Sequence, residues 1–221
     1  MKVSKHPQPI VGHKPDDTEL VHETQWWIEF LQGDDVALAH IYRKYAPKLF
    51  NYGRQFTPND TMVQDAIQDV FFKLVDNKSK LGVAHSVKFY LFASFRRILL
   101  RSLKKEKKYV GDEYCEEKGF QIMVDPDFFV VDGFLTKAQK ELLKDSCNKL
   151  PGRQRQIIAM RFFENMDYAE IADIMGLSNA KTVRTMLYRG LNRLSEELKH
   201  KKSLRGIRLS SYHIFDIELV G

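Results

Sequence analysis

The sequence predicts an all-α protein: two small helical domains joined by an acidic flexible linker, the second a helix-turn-helix domain. Apolar side chains recur every three to four residues over residues 24–108 and again over residues 135–202, which is the period of amphipathic helices. The period is lost between them, where residues 109–135 carry one Lys or Arg against seven Asp or Glu. A chain of 221 residues, 43% of them hydrophobic, is long enough for two such cores.

Four helices are expected in the first domain. Trp26, Trp27 and Phe30 lie on one face of the first helix, Gly33 is suited to end it, and Asp34 is suited to cap the second. Polar residues and a glycine predict a loop before the fourth helix. The predicted helices begin at Thr24, after Asp34, at about Thr61 and at about Val87, and the loop covers residues 76–86.

Residues 167–194 have the pattern of a helix-turn-helix. Asp167 and Glu170 are spaced as a capping pair, Gly176 is suited to end the first helix, and Ser178 is predicted to cap the second. In the second helix, Val183, Leu187, Leu191 and Leu194 share one face, which predicts that this face packs against the core.

The opposite face of that helix has the chemistry that a DNA major groove requires. Guanidinium groups match guanine edges and phosphates, and a threonine methyl group matches thymine. The alternative is a solvated basic face on an ordinary bundle helix. The candidate DNA contacts are Lys181, Arg184, Thr185, Tyr188 and Arg189.

Residues 150–194 resemble region four of bacterial RNA polymerase sigma factors, and especially the small extracytoplasmic-function group. In that family the second helix reads the −35 promoter element, so the resemblance implies that role for the five residues above. Response-regulator output domains share a similar motif. The matching positions are Leu150, Pro151, Arg155, Arg161, Tyr168, Glu170, Ile171, Ala172, Gly176, Thr182, Val183, Arg184, Arg189 and Leu194.

The first domain is similar to sigma region two. Residues 32–37, with Tyr42, Tyr45 and Leu49, resemble its opening, and residues 65–74 (DAIQDVFFKL) resemble the segment that grips the clamp coiled coil of core polymerase. Helical spacing places Asp65, Gln68 and Asp69 together on the outer face of their helix. The resemblance implies that these three residues bind core RNA polymerase.

The fourth helix combines aromatic and basic residues, which suits an unpaired base and the phosphates of a separating strand. In sigma factors this segment melts and holds the −10 element, with residues 76–86 in the position of the base-capturing loop. Tyr90 stands where the family often has Trp, and Arg97 and Arg101 make the surface more basic than usual. The candidate −10 contacts are Tyr90, Phe92, Arg96, Arg97, Arg101, Lys104 and Lys105.

The resemblance implies an alternative sigma factor whose partners are core RNA polymerase (its clamp coiled coil) and promoter DNA. Anti-sigma factors are common partners in the family. No catalytic residues, metal site or cofactor are expected, because neither the seven histidines nor the two cysteines have ligand spacing. A cytoplasmic protein without membrane insertion is expected. The predicted division is an N-terminal extension 1–23, domains 24–108 and 135–202, a linker 109–134 and a tail 203–221.

Two other interpretations remain open at this point. A stand-alone helix-turn-helix regulator would bind paired half-sites and form no stable complex with core polymerase. A helical protein-interaction module with incidental basic faces would show no promoter dependence. A separate hypothesis is that the acidic linker lies against the basic faces of the free protein and suppresses unproductive DNA binding.

Overall fold

The computed structural model describes residues 17–82, 86–109, 119–123 and 137–199. Within these ranges the chain forms eight α-helices and no strand, so the all-α prediction is confirmed. The helices are α1 Asp17–Gln32, α2 Asp35–Arg54, α3 Asp60–Asp76, α4 Val87–Tyr109, α5 Lys137–Asn148, α6 Gly152–Ile158, α7 Tyr168–Met175 and α8 Ala180–Lys199.

Helices α1 to α4 form the first bundle, in which α2 packs against the other three. The predicted apolar faces meet in its core. Gly53 of α2 allows this close packing, because an added Cβ would lie 2.6 Å from Val63 Cγ1 and 2.8 Å from Phe95 Cζ. Fully buried side chains of this core include Trp27, Ile41, Tyr45, Leu49, Tyr52, Leu74, Leu91, Phe92, Phe95 and Leu99.

Helix α1 begins at Asp17, before the predicted start at Thr24. The carboxylate of Glu23 explains how this earlier turn is held: it accepts a hydrogen bond from the Tyr45 hydroxyl at 2.6 Å and pairs with Lys44. The predicted boundary between an N-terminal extension and the first domain therefore falls inside a helix. Residues 1–16 lie outside the described part of the chain.

Helices α5 to α8 form the second bundle, and α8 packs against the other three. Helix α6 continues into a π-helical turn, Ala159–Phe163, which is followed by Asn165 with a left-handed φ of 49°. Arg155 donates a hydrogen bond to the Asn148 carbonyl and joins α6 to the end of α5. Fully buried side chains here include Cys147, Ile157, Ile158, Met160, Met166, Ile171, Val183, Leu187 and Leu194.

Residues 119–123 of the predicted linker pack between the two bundles. Phe120 is buried, with its ring centroid 4.8 Å from that of Phe56, and the Gln121 N–H donates to the Gln55 carbonyl at 2.7 Å. The backbone N–H of Ile122 donates to Asn148 Oδ1 at 2.8 Å, and its carbonyl accepts from Asn148 Nδ2 at 3.1 Å. This part of the linker is therefore anchored to both bundles. Tyr109 is the last residue of α4, and the remaining linker residues and the tail lie outside the described ranges.

Candidate promoter and polymerase surfaces

Helices α7 and α8 form a helix-turn-helix. At the start of α7, Asp167 Oδ1 accepts from the Glu170 N–H at 2.8 Å, and the Glu170 carboxylate accepts from the Asp167 N–H at 3.1 Å. The predicted capping pair is thus a reciprocal capping box. Gly176 ends α7 with a left-handed φ of 62°, a conformation that glycine adopts without steric strain.

The second helix of this motif begins one residue later than the predicted cap implies. Asn179 Oδ1 accepts from the Thr182 backbone N–H at 2.9 Å, whereas the Ser178 hydroxyl lies 3.0 Å from the Thr182 hydroxyl. The Leu177 N–H donates to the Ala172 carbonyl at 2.8 Å, so Leu177 still belongs to the C-terminal cap of α7. The turn between the two helices is therefore one residue longer than predicted. The prediction that Ser178 caps α8 is therefore wrong, and Asn179 does so.

The five candidate −35 contacts lie on the side of α8 opposite its buried residues. Val183, Leu187 and Leu194 are 0% exposed, which fixes the orientation of the helix. The hydroxyl of Thr185 donates to the Lys181 carbonyl at 2.9 Å, so its methyl group remains for apolar contact. Lys181, Arg184, Thr185 and Arg189 are exposed, and Tyr188 is half-buried.

The guanidinium of Arg184 has an aromatic neighbour. Its Cζ lies 5.1 Å from the centroid of the Tyr168 ring, and Arg161 Cζ lies 5.1 Å from the same centroid. Arg161 also donates to the Met166 carbonyl at 2.8 Å. The π-helical turn, α7 and α8 are therefore connected through one tyrosine.

The three candidate polymerase contacts lie on the outer face of α3. Asp65, Gln68 and Asp69 are exposed, whereas Ile67 and Leu74 are buried. Two carboxylates beside an amide suit basic groups on a partner helix.

Sequence reasoning did not identify an apolar extension of this α3 face. Phe72 is 71% exposed and Val75 is 50% exposed. Phe72 follows Gln68 and Asp69 by four and three residues, so it lies one turn further along the same side. The sequence signal for this surface is the pair Phe71–Phe72. Neighbouring residues of a helix point in different directions, so only one of the two phenylalanines can face the core beside Ile67 and Leu74.

The aromatic residues of α4 pack against the first bundle. Phe92 is 0% exposed and its ring centroid lies 5.3 Å from that of Tyr52. The assignment of Phe92 to strand capture is corrected, because a side chain enclosed in the core has no face for a base. Tyr90 is half-buried, 5.5 Å from the Trp27 ring, and its role in strand capture stays a prediction.

The cations of α4 divide into two groups. Arg96 is half-buried and points to the second bundle, where Nη1 donates to the Ile174 carbonyl at 3.0 Å and Nη2 to Gln156 Oε1 at 3.4 Å. In this arrangement Arg96 holds the helix-turn-helix and is not positioned for a phosphate. The other four candidates, Arg97, Arg101, Lys104 and Lys105, are exposed.

Lys88 makes a second contact between α4 and the second bundle. Its ammonium donates to the Glu164 carbonyl at 2.8 Å, at the end of the π-helical turn. Burial lowers the pKa of Lys88, an effect opposed by Glu170 and Glu164. Burial raises the pKa of the Glu164 carboxyl to about 7, although Lys48 and Lys88 act in the other direction.

The candidate base-capturing loop is attached to α1. Trp27 Nε1 donates to the Gly82 carbonyl at 3.0 Å, and Lys78 Nζ lies 5.6 Å from the centroid of the Phe30 ring. Lys78 belongs to a short 3₁₀ turn, Lys78–Lys80. Residues 83–85 lie outside the described ranges.

In the described part of the chain, no group of three or more His, Cys, Asp or Glu side chains is arranged to hold a metal ion. None of the helices described is both long and apolar enough to cross a membrane. Burial raises the pKa of the Cys147 thiol to about 12, so this cysteine is a core residue in its thiol form.

Comparison with known proteins agrees with this arrangement. Sigma-70 region 2 matches residues 41–109, and Sigma-70 region 4 matches residues 140–194. An RNA polymerase sigma-E factor of Streptomyces avermitilis is 38% identical over 169 residues, which cover 76% of this chain and 89% of the relative. The chain belongs to the sigma-70 family. Its pairing of regions 2 and 4 is that of the extracytoplasmic-function sigma factors, and it is an alternative sigma factor that directs transcription initiation.

More distant relatives match this sigma factor over much of its length. RNA polymerase sigma factor YlaC of Bacillus subtilis is 23% identical over 163 residues, 73% of this chain and 92% of the relative. The fold is shared with RpoE in its complex with the anti-sigma factor NepR from Bartonella quintana, at a TM-score of 0.54 and 20% identity, over 75% of this chain and 98% of that one. CnrH in complex with the cytosolic domain of CnrY gives a TM-score of 0.54 at 19% identity, over 80% of this chain and 97% of that one.

Proposed function

We propose that this sigma factor binds core RNA polymerase through α3, reads the −35 element through α8 and opens the −10 element with α4 and the loop over residues 76–86. The observation that carries the proposal is that one chain presents an exposed acidic face on α3 and an exposed basic face on α8. The first suits a protein helix with basic residues, and the second suits a DNA groove. The division into two domains is part of this proposal, with the first domain beginning at α1 and not at residue 24.

The polymerase contact combines charge with apolar area. Asp65 and Asp69 offer carboxylates to lysine or arginine side chains, and Gln68 between them can donate and accept. The exposed Phe72 adds an apolar anchor at the end of the same face. Aromatic anchors beside charged pairs are typical of residues that contribute most to binding energy.

The −35 contact uses the five outward residues of α8. Arg184 and Arg189 are suited to guanine edges or phosphates, and Thr185 presents its methyl group to thymine. Lys181 and Tyr188 complete the surface, at positions that allow phosphate contacts near the start and middle of the helix.

The −10 contact requires the two bundles to separate. The −10 and −35 elements lie about 25 base pairs apart, which is roughly 85 Å of B-DNA at about 3.4 Å per base pair. Helices α4 and α7 pack against each other here, so both elements cannot be engaged in this arrangement. Separation releases Arg96 from the Ile174 carbonyl, and Arg96 then joins Arg97, Arg101, Lys104 and Lys105 along the phosphates, with Tyr90 as the aromatic contact.

An anti-sigma factor is a further proposed partner. The two similar structures with TM-scores of 0.54 are both complexes, one of them with a protein named as an anti-sigma factor. Such a partner would compete for the α3 face. We propose that the protein acts in the cytoplasm as a DNA-binding subunit of RNA polymerase and catalyses no reaction of its own.

Transcription from a pool of linear templates with randomised upstream sequence tests the proposal. Core RNA polymerase supplied with the full chain should enrich templates that share two sequence blocks separated by a fixed spacer. Asp65→Lys/Asp69→Lys should abolish enrichment, whereas Glu141→Lys/Asp145→Lys, the same charge change on exposed carboxylates of α5 with the same spacing, should retain it. Enrichment of a single block or of paired half-sites, or enrichment that Asp65→Lys/Asp69→Lys retains, would contradict the proposal.

A further inference from the structure

Two arginines from different elements converge on Tyr168, the first residue of α7. Arg161 belongs to the π-helical turn and Arg184 to the outward face of α8. Each guanidinium carbon lies 5.1 Å from the centre of the tyrosine ring, within the range of a cation–π interaction. The ring thus connects the π-helical turn to a side chain on the outward face of α8.

Two interactions fix the surroundings of Tyr168. Arg161 donates to the carbonyl of the fully buried Met166 at 2.8 Å, which fixes its guanidinium to the core. The capping box of Asp167 and Glu170 fixes the first turn of α7, where Tyr168 is half-buried. The ring therefore starts from a capped helix turn and lies beside an anchored guanidinium, whereas Arg184 is an exposed side chain on the surface of α8.

This support matters for recognition because an unsupported arginine loses side-chain freedom when it binds. Ordering a rotamer-rich side chain opposes association. A guanidinium beside an aromatic ring is already restricted, and a cation–π contact uses no N–H···O bond, so a bidentate hydrogen bond to a guanine edge stays open to it. The guanidinium groups of Arg161 and Arg184 repel each other, and this repulsion is weaker when polyanionic DNA lies beside them.

We propose that Tyr168 is the positioning residue for Arg184: it presents the Arg184 guanidinium to a base pair of the −35 element without itself contacting DNA. The inference rests on the proposed function of α8 and adds a residue from the first helix of the motif to the determinants of sequence preference. The interaction depends on the aromatic ring of Tyr168 and not on its hydroxyl. Phenylalanine at this position should therefore retain the effect on Arg184, and leucine should not.

The test measures sequence preference with a randomised pool of DNA duplexes, offered to the full chain alone and to its mixture with core RNA polymerase. Bound duplexes are sequenced for the wild type, Tyr168→Phe, Tyr168→Leu, Arg184→Ala and the double variant Tyr168→Leu/Arg184→Ala. Preference at one position is a ratio between sequences on the same preparation, so partial loss of folded protein cancels from it. Thermal unfolding of each variant gives the effect on the fold separately.

Tyr168→Phe should keep the wild-type preference. Tyr168→Leu should lower the preference at the base pair that Arg184 reads by about two- to fivefold, the equivalent of roughly 0.5–1 kcal/mol for an exposed cation–π contact. In the Arg184→Ala background, Tyr168→Leu should have no further effect at that position, because the interaction it removes is already absent.

Three outcomes would overturn the inference. An equal loss on all sequences, shared by Tyr168→Phe, would show a direct phosphate contact of the hydroxyl. An undiminished effect of Tyr168→Leu in the Arg184→Ala background would show that the tyrosine acts independently of Arg184. Absence of any selected sequence for the wild type in both forms would refute this inference together with the −35 assignment, whereas selection by the chain alone would leave it standing even if core polymerase did not bind.

Discussion

The two basic helices of the molecule differ in how their charged faces are used. On α8, the buried side is apolar and the outward side carries Lys181, Arg184 and Arg189 in solvent. On α4, Arg97, Arg101, Lys104 and Lys105 are exposed, but Arg96 is bonded to α7 and Phe92 lies in the core. Helix α8 presents its basic face to solvent, and part of the surface of α4 is covered by the second bundle.

The difference shows that a basic, aromatic sequence does not by itself define a nucleic-acid surface. Arginine has five donors and satisfies a helix C-terminal carbonyl as well as a phosphate, so Arg96 can serve either partner. An aromatic ring on a helix that is buried on several sides packs in the core and is then not accessible to a base. Accessibility, which depends on the partner element, decides between these uses.

The largest expected effect concerns Phe92. If its ring is a core residue, Phe92→Ala should lower the free energy of unfolding by about 3–5 kcal/mol, the range for truncating a buried phenylalanine. Tyr188 on α8 is only half-buried, so Tyr188→Ala should lower the free energy of unfolding by about 1 kcal/mol or less. Urea denaturation of the full chain measures both, and comparable small losses would restore Phe92 as a surface residue.

The next effect separates reading from phosphate binding. Arg184→Ala should weaken binding to the selected −35 duplex by about 1–3 kcal/mol and relax the preference at one base pair. Lys104→Ala should weaken binding on all sequences and reduce the slope of log affinity against log salt by about one. Fluorescence anisotropy over a salt series measures both variants, and an equal loss on every sequence for both would remove Arg184 from the readers.

A smaller effect should mark the contact between the bundles. The pKa of Glu164 is raised to about 7 by burial, against an ordinary value of 4.5. Between about pH 4.5 and pH 7 the folded chain keeps a proton that the unfolded chain has lost, so stability should fall as pH rises through this window.

Glu164→Gln removes that half-buried charge and should stabilise the chain at pH 8 by about 1–2 kcal/mol, with little change near pH 4.5. Thermal unfolding across this pH range measures the difference. The same replacement at the exposed Glu196 of α8 is the control for surface charge. A Glu164→Gln profile parallel to that of the wild type would show that the carboxyl is solvated and that the bundles do not pack as described.

Local signals predicted most helices and the start and end of α7, because their causes lie within a few residues, whereas the start of α1 and the cap of α8 differ from the prediction. Asp34, the Asp167–Glu170 pair and Gly176 each act on their own turn, and their geometry follows the prediction. Contacts between distant residues were not predictable. The Arg96 bond to Ile174 spans 78 residues, and the exposure of Phe72 depends on which residues fill the core beneath α3. Apolar residues on several sides of α4 left the position of Phe92 ambiguous for the same reason.

The central claim is that the α3 face binds core RNA polymerase, and direct binding tests it. The full chain is titrated against purified bacterial core polymerase beside Asp65→Lys/Asp69→Lys and the matched control Glu141→Lys/Asp145→Lys. The wild type and the control should bind tightly, and reversal on α3 should weaken binding by more than about a hundredfold, since like charges at an interface oppose it by several kcal/mol. Equal binding of all three proteins would place the interface elsewhere, and no binding by the wild type would contradict the account.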